Sequence, residues 1–562
     1  MIRTNQPKSP GRTATGHTAS GRHAPVNRKF FLLVAFCLLL VSVGVLLRFW
    51  QITQNSFVFY DEAFYLHHNR QLGEMIREHV PLSGEDLWRA VKVYLRTSLA
   101  SGKSLWFMLI DLRIFFGNVY EWFWARVLAA VFGTATLFLT FLFARRFYRD
   151  DRVAWIAIAL LAVLPSHVFY SRIALQEALS TFLVLGGMYL YLRTRELSWR
   201  SFAAGAVFAL AYFSNYRLIM LPFLLAVTEA WQVLSERQRP ALRRFVWTTV
   251  IFFAGVFGVG AAFGGVNTYI IFSWIFHQGH LAGPEFHPVN LLSYPYYLFR
   301  LEGVLFGLIF LLAVVEAIFR RGWSFRQWPL FLVITQMAVF SLPEEKGARY
   351  ICVVLPFLAM AVADAAVRWQ DGDLRPFMKK GLAALFVIMI LMLGVRSLAV
   401  ASIDSDYREA VILIEQKDPG ARFLSSQRFV QSLYLHDQDR IADVSPHFPV
   451  LAQRAAEGYR YFVLGPQAHI TYPLEEKKFS GRLQGYLGFI RQRVSPLARF
   501  DHFSAVMLER FVFEHSSHLL RSIRFLRQAE EQGYGRLEVY DLRQSLQAGL
   551  AILRQRQSEA GQ

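Results

Sequence analysis

Long apolar runs recur through almost the whole of the first 400 residues and are separated by short polar segments. The first run, from Phe30 to Phe49, is long enough to cross a bilayer as a helix and too long for the apolar region of a cleaved signal peptide. The others fall near residues 121–143, 153–170, 173–192, 201–214, 217–233, 246–266, 297–319, 328–342, 350–367 and 381–400. The pattern predicts a polytopic α-helical membrane protein with about eleven transmembrane helices.

Basic residues cluster in alternate loops between these runs. Because positively charged loops stay in the cytoplasm, the clusters place the N-terminus inside and the segment after residue 400 outside. Residues 1–29 are basic and contain no acid, which predicts a disordered cytoplasmic tail. The clusters are Arg145, Arg146, Arg149 and Arg152; Arg193, Arg195 and Arg200; Arg237, Arg239, Arg243 and Arg244; Arg320, Arg321 and Arg326; and Arg368, Arg375, Lys379 and Lys380.

The outer side is predicted to hold three pieces. The first outer loop, 51–120, contains helix-like stretches at 62–80 and 85–100, and the second piece is the loop 267–296. The third is an extracytoplasmic α/β domain, 401–562, which follows a transmembrane domain at 30–400. Its predicted helices are 407–416, 427–434 and 447–457, and its predicted strands are 421–425, 459–464, 503–513 and 536–542.

Composition narrows the possible functions. Hydrophobic residues make up 54% of the 562 positions and charged residues only 18%, which favours a membrane protein. The formal net charge of +19 lies in loops that orient the chain, so it does not indicate nucleic-acid binding. Both cysteines, Cys37 and Cys352, fall in apolar runs, so no disulfide framework is expected outside the membrane.

Two adjacent carboxylates, Asp61 and Glu62, follow the first predicted span by about ten residues. A carboxylate next to hydrocarbon is desolvated, which raises its pKa and makes it a proton acceptor near neutral pH. The same pair could instead cap the helix that is predicted to begin near Ala63, where the helix dipole favours negative charge. The spacing alone leaves both interpretations open.

Several basic residues lie at the outer ends of spans, where the orientation rule disfavours them. They could hold an anion such as a lipid phosphate, which arginine binds as a fork and lysine as a point charge. They could also reach out to lipid headgroups or pair with local acids such as Glu121, Glu302 and Glu345. The set comprises Lys103, Arg126, Arg172, Arg217, Arg300, Lys346 and Arg349.

Potential metal ligands cluster in the loop 267–296, where the spacing of the side chains matches no zinc motif. No metal and no other cofactor is therefore predicted, although a divalent metal stays possible. The residues concerned are His277, His280, Glu285 and His287.

The order of these features resembles the GT-C membrane glycosyltransferases, in the branch of the protein O-mannosyltransferases and the lipid A aminoarabinose transferases. The resemblance covers roughly residues 30–400. Its features in chain order are Asp61-Glu62 with Tyr65, Lys103 in Gly102-Lys103-Ser104-Leu105, Phe116-Gly117 with Glu121 and Arg126, Ser171-Arg172, and Lys346-Gly347-Ala348-Arg349-Tyr350 before a span that contains Pro356.

The resemblance implies an inverting glycosyltransferase of the cytoplasmic membrane. Its donor would be a sugar on a polyprenyl phosphate, its acceptor a lipid, glycan or protein, and its active site would face outward. Asp61 would be the general base, Glu62 would position the acceptor or the base, and Tyr65 would contact substrate. The lipid phosphate would be bound by Lys103, Arg126, Arg172, Lys346, Arg349 and Tyr350.

Three other functions compete with this interpretation. A transporter or flippase of lipid-linked sugars would place charges mid-span and often shows two related halves, whereas the mid-span regions here are nearly free of charge and the sequence shows no internal duplication. A polymerase or ligase of lipid-linked sugars also uses outer basic residues, but the early Asp61-Glu62 loop favours a transferase. A membrane scaffold would need only one span.

Overall fold

The computed structural model describes most of the chain. The described residues are 28–54, 60–79, 84–113, 121–237, 239, 241–263, 265, 287–320, 324–343, 346–435, 437–445, 448–465, 488, 490–501, 510, 512–513, 518–531 and 535–560.

Every apolar run predicted from the sequence coincides with at least one helix. Short 3-10 segments precede some of them, at Tyr216–Met220, Pro288–Leu292, Phe325–Gln327 and Ala348–Val354, and a π-helical turn occupies Leu298–Glu302. The helices of this part are α1 (Arg28–Phe49), α2 (Tyr60–His79), α3 (Gly84–Ala100), α4 (Ser104–Asp111), α5 (Glu121–Tyr148), α6 (Asp151–Ala162), α7 (Pro165–Tyr170), α8 (Glu177–Tyr191), α9 (Trp199–Ser214), α10 (Leu221–Glu236), α11 (Leu242–Ala262), α12 (Ser293–Tyr297), α13 (Val304–Phe319), α14 (Trp328–Ser341), α15 (Leu355–Asp371) and α16 (Pro376–Ala401).

Six helical stretches in the described part of the chain are long and apolar enough to cross a membrane, so the chain is a multi-pass membrane protein. The predicted number of eleven spans stays a prediction. The stretch Ala348–Asp371, which includes α15, is almost wholly buried by the rest of the protein and forms the centre of the bundle. The six are Phe30–Phe49, Trp122–Tyr148, Tyr216–Glu236, Leu242–Ala262, Ala348–Asp371 and Pro376–Ala401.

The predicted run 153–170 is broken into α6 and α7. Pro165 starts α7 and has no N–H to continue the hydrogen bonding of α6. The carbonyls at the end of α6 need other donors, because unsatisfied backbone groups are costly away from water. Arg48 supplies them: its guanidinium donates to the carbonyls of Ala162 at 3.0 Å and Leu161 at 3.3 Å. This buried arginine stabilises the break and fixes α1 against α6.

The described part of residues 51–120, the predicted first outer loop, contains three helices, two of which the polar and amphipathic pattern predicts. The stretches predicted at 62–80 and 85–100 are α2 and α3, and α4 follows after a turn at Gly102. Gly102 has a φ of +70°, and a Cβ there would lie 2.6 Å from the ring of Tyr216. Only glycine fits this turn, and the turn sets the position of Lys103.

The C-terminal unit, residues 407–560, contains a mixed five-stranded sheet of order β2-β1-β3-β5-β4. Strands β1, β2 and β3 are parallel, whereas β5 is antiparallel to both β3 and β4. The strands are β1 (Arg422–Ser425), β2 (Ile441–Asp443), β3 (Tyr459–Leu464), β4 (Ala498–Phe500) and β5 (Leu537–Asp541). The helices are α17 (Tyr407–Lys417), α18 (Arg428–Ser432), α19 (Phe448–Ala456), α20 (Leu519–Glu531) and α21 (Leu542–Ala560).

The α/β prediction for this unit is confirmed, with one error. The strand predicted at 503–513 is wrong at residues 510, 512 and 513, which are helical. Phe513 stacks on Tyr297 at 4.4 Å and packs against Tyr296, so this side chain contacts α12 of the membrane part. An apolar run that packs on another unit gives the same sequence signal as a buried strand.

Candidate active site

The beginning of α2, the loop before α4 and the 3-10 segment before α15 meet at one place. Arg349 Nη1 donates a 2.7 Å hydrogen bond to Asp61 Oδ2, and Lys103 Nζ lies 3.8 Å from the same oxygen. Lys103 also donates to the hydroxyl of Tyr65, one turn beyond Asp61 on α2. Tyr350 completes the cluster, 5.9 Å from the guanidinium of Arg349. The structure thus brings together five of the residues predicted from the sequence.

The pKa of Asp61 is the property that the sequence predicts wrongly. Burial would raise the pKa of this carboxyl, but the positive charges of Lys103 and Arg349, with Arg217 nearby, hold it well below its usual range. Two cations within 4 Å of a carboxylate stabilise its charged form more than desolvation destabilises it. Asp61 is therefore ionised in this state and forms ion pairs with Lys103 and Arg349.

The pKa of Lys103 is lowered as well. Burial, together with the positive charges of Arg349 and Arg217, lowers the pKa of Lys103 to about 8, although the negative charges of Asp61 and Glu177 act in the opposite direction. A lysine in this state is a cation at neutral pH and loses its charge in mildly alkaline solution.

A narrow cleft beside Arg349 adds two charged residues: Arg217, one of the basic residues noted in the sequence, and Glu177, which the sequence analysis did not single out. The guanidinium of Arg217 stacks on the ring of Tyr350 at 4.2 Å. Glu177, the first residue of α8, is buried and close enough to influence the pKa of Lys103 and of Tyr65. An acid inside an apolar run is the signal that could have found Glu177, because such residues are rarely without function. The lining comprises Glu177, Ser180, Asn215, Arg217, Leu218, Phe340, Arg349, Tyr350 and Val353.

Glu62 follows Asp61 on α2, but its side chain leaves the helix about 100° further around the axis. Its buried carboxylate accepts a 2.8 Å hydrogen bond from the backbone N–H of Ala174, and Arg126 Nε lies 3.6 Å away. Arg126 also donates to the carbonyl of Ile52 at 3.0 Å. These contacts join α2 to α5 and to the irregular segment before α8. Both carboxylates of the pair thus contact groups far along the chain, which a helix cap does not explain.

Replacing Glu62 by alanine is expected to destabilise the protein. The change removes the carboxylate that lies 3.6 Å from the buried Arg126 guanidinium, and breaking such a buried pair typically costs about 3–5 kcal/mol of unfolding free energy. Thermal unfolding of the purified protein in detergent measures the effect, and Glu62→Gln, which keeps an acceptor for Ala174, should lose less. An unchanged unfolding temperature combined with lost turnover would instead assign Glu62 to the chemistry.

Two other predicted phosphate ligands make contacts away from the Asp61 cluster. Arg172 donates to the carbonyls of Leu47 and Ala401, the latter at 2.7 Å, and so ties the end of α1 to the end of α16. Lys346 is buried and donates to the carbonyl of Pro343 at 2.7 Å. Their predicted role in phosphate binding stays a prediction.

Some sequence features lie outside the described residues. They are the Phe116-Gly117 motif, the side chain of Glu121, Glu345, and three of the four potential metal ligands, His277, His280 and Glu285. The fourth, His287, is exposed at the start of a 3-10 segment, where its ring Nδ1 accepts a hydrogen bond from the N–H of Val289.

Solved structures with the same arrangement of helices identify the fold. The oligosaccharyltransferase of Archaeoglobus fulgidus in its apo form superposes with a TM-score of 0.53 at 11% sequence identity, over 82% of this chain and 73% of that one. The chain has the GT-C fold. The ArnT protein of Cupriavidus metallidurans bound to undecaprenyl phosphate is similar with a TM-score of 0.49 at 16% identity, over 81% of this chain and 96% of that one.

A family model supports the GT-C resemblance from the sequence side. Residues 37–273, which include Asp61, Lys103 and Arg217, match the model described as dolichyl-phosphate-mannose-protein mannosyltransferase. The match spans less than half of the chain. No curated protein shows significant sequence similarity to it. The resemblance to GT-C membrane glycosyltransferases is confirmed.

Proposed function

We propose that this GT-C protein is an inverting glycosyltransferase that moves a sugar from a polyprenyl-phosphate donor to an acceptor. The proposal rests on the surroundings of one carboxylate, that of Asp61 in the predicted first outer loop. It accepts a 2.7 Å hydrogen bond from Arg349, and Lys103 Nζ lies 3.8 Å away. A base beside a group of cations is what transfer from a phosphate leaving group needs. The match to a dolichyl-phosphate-mannose-dependent family supports a lipid-linked donor.

The proposed step breaks one bond and forms another. The acceptor hydroxyl attacks the anomeric carbon from the face opposite the phosphate, and Asp61 takes the hydroxyl proton. The bond from the anomeric carbon to the phosphate oxygen breaks, and its electron pair stays on the phosphate. Lys103 and Arg349 then compensate the charge that develops on the leaving group. Attack from the opposite face inverts the anomeric configuration.

Donor binding would also change the pKa of the base, Asp61. In the structure the two cations hold the pKa of Asp61 low, which makes it a weak proton acceptor. A lipid phosphate that takes hydrogen bonds from Arg349 and Lys103 competes with Asp61 for the same charges. The pKa of Asp61 then rises toward neutrality, because burial continues to act on it. In this scheme the base becomes effective only when the donor is in place.

The proposal includes a subcellular location and a membrane orientation. The basic loops predict a cytoplasmic N-terminus, so the Asp61 cluster and the C-terminal unit would face outward from a bacterial-type inner membrane. The transmembrane catalytic domain would comprise residues 30–400, and residues 401–562 would form the extracytoplasmic domain. The acceptor would be a lipid, a glycan or a protein hydroxyl. One solved structure of the A. fulgidus oligosaccharyltransferase carries a tethered acceptor peptide, which supports transfer to a macromolecular acceptor.

Release of polyprenyl phosphate tests the function directly. The purified protein is incubated in detergent with radiolabelled polyprenyl-phosphate sugars and an envelope extract, and label transfer and free polyprenyl phosphate are both measured. Release that depends on one sugar and on the acceptor supports the transferase and identifies its donor. Tight donor binding without release from any donor would favour a transporter.

The pH dependence of donor use is expected to report on Lys103. Because the pKa of Lys103 is lowered to about 8, its charge is present below that pH and is lost above it. We expect kcat/KM for the donor, which reflects groups of the free enzyme, to fall above about pH 8. Lys103→Arg should move this alkaline limb to higher pH, since guanidinium keeps its proton. The exposed Lys92, changed to Arg, is the control and should leave the profile unchanged.

A further inference from the structure

Helix α2, which carries Asp61, is hydrogen-bonded to the C-terminal unit. His67 Nε2 lies 3.0 Å from the carbonyl oxygen of Phe429 and 2.9 Å from Ser432 Oγ, both on α18. The carbonyl can only accept, so the ring donates through a protonated Nε2. The imidazole also packs edge-on against the ring of Phe429, with centroids 5.5 Å apart. Arg70, three residues further on α2, lies 3.4 Å from the carbonyl of Leu433.

The contacts at His67 and Arg70 lie on the same helix, α2, as Asp61. His67 follows Asp61 by six residues, which places the two about 9 Å apart along the helix axis. A helix transmits a shift at one turn to the next, whereas Lys103 and Arg349 lie on other segments of the chain. Movement of α2 would therefore displace Asp61 relative to both cations, and a displacement of about 1 Å can cost about 100-fold in rate.

A second contact keeps the C-terminal unit in place. Arg510 is fully buried, and its Nη1 lies 3.2 Å from Ser166 Oγ while its guanidinium covers the ring of Phe169 at 4.9 Å. The backbone N–H of Ser166 donates in turn to the carboxylate of Glu302 at 3.2 Å. The C-terminal unit is thus anchored on α7 as well as on α2, so α18 offers α2 a fixed surface.

We infer that the C-terminal unit positions the base, and that His67 is the positioning residue through which it acts. The inference rests on the proposed function, because the position of Asp61 matters only if Asp61 performs chemistry. It assigns the unit a role in turnover in addition to any contact it makes with the acceptor. Hydrogen bonds to α18 hold α2 in the register where Asp61 meets the cations.

The kinetic test separates turnover from donor binding. His67→Ala is expected to lower kcat about tenfold and to leave the donor KM within about twofold, because Lys103 and Arg349 stay in place. His67→Gln should restore most of the rate, since its amide can donate to the Phe429 carbonyl. Glu74→Ala, at an exposed position of the same helix, is the matched control. A kcat unchanged in His67→Ala, or no recovery with His67→Gln, would overturn the inference.

Hydrogen–deuterium exchange provides a test that needs no activity. In the full-length protein, peptides that cover α2 should exchange faster in His67→Ala than in the wild type, and peptides from α5 should not. Equal exchange in α2 would also overturn the inference. If the wild-type protein released no polyprenyl phosphate from any donor, the proposed function would fail while faster exchange still showed that His67 fixes α2.

Discussion

Asp61→Asn is expected to lower turnover by roughly two to four orders of magnitude, the usual contribution of a general base. The amide is nearly isosteric but cannot take the acceptor proton. Folding should be preserved, because the amide oxygen still accepts from Arg349, which donates to Asp61 at 2.7 Å in the wild type. Donor binding should be equal or tighter, since Arg349 and Lys103 no longer share their charge with a carboxylate. Single-turnover rates and equilibrium binding of polyprenyl phosphate measure the two effects separately.

Asp86→Asn is the matched control for this change. Asp86 lies in α3 of the same predicted outer loop, where its partly exposed carboxylate pairs with Arg89 at 3.7 Å. Such a surface pair contributes little to stability, and its loss should leave turnover unchanged. Near-normal activity of Asp61→Asn would show that another group is the base, and Glu177, the second buried carboxylate of the cluster, would be tested next.

Arg349→Ala is expected to reduce kcat/KM for the donor roughly 100- to 1,000-fold. The change removes a cation that would stabilise the charge on the departing phosphate, an effect of the size seen when a single oxyanion-hole donor is lost. It also removes the closest positive charge on Asp61, so the pKa of that carboxyl should rise and the acidic limb of the kcat/KM profile should move to higher pH. Steady-state kinetics from mildly acidic to alkaline pH measure both effects.

Two variants define what Arg349 contributes. Arg349→Lys keeps the charge but not the planar fork, so partial activity is expected. Arg300→Ala removes an arginine of the predicted outer set, which pairs with Glu530 at 3.6 Å, and should have little effect. An Arg349→Ala enzyme that bound donor normally and lost only kcat would place the arginine in charge stabilisation during the reaction. Unchanged kcat/KM would contradict its assignment to the phosphate.

Local physical chemistry explains why the sequence predicted so much of the fold. Hydrocarbon excludes unpaired backbone groups, so each long apolar run had to be helical, and each coincides with a helix. Short apolar runs were harder to assign, because a buried strand and a short packed helix share one pattern. Residues 503–513 were therefore predicted as a strand, whereas Phe513 is helical and stacks on Tyr297.

Asp61, Lys103 and Arg349 were identified from the sequence because charged residues stand out at the outer ends of apolar runs. Only the tertiary structure decided which of these charges meet. Arg349 reaches Asp61 across 288 positions of the chain, whereas Arg172 turns to the carbonyls of Leu47 and Ala401. The direction of the Asp61 pKa shift followed from the contact of Asp61 with Arg349 and Lys103. Electrostatic energy depends on distance and on burial, and both are set by how the helices pack.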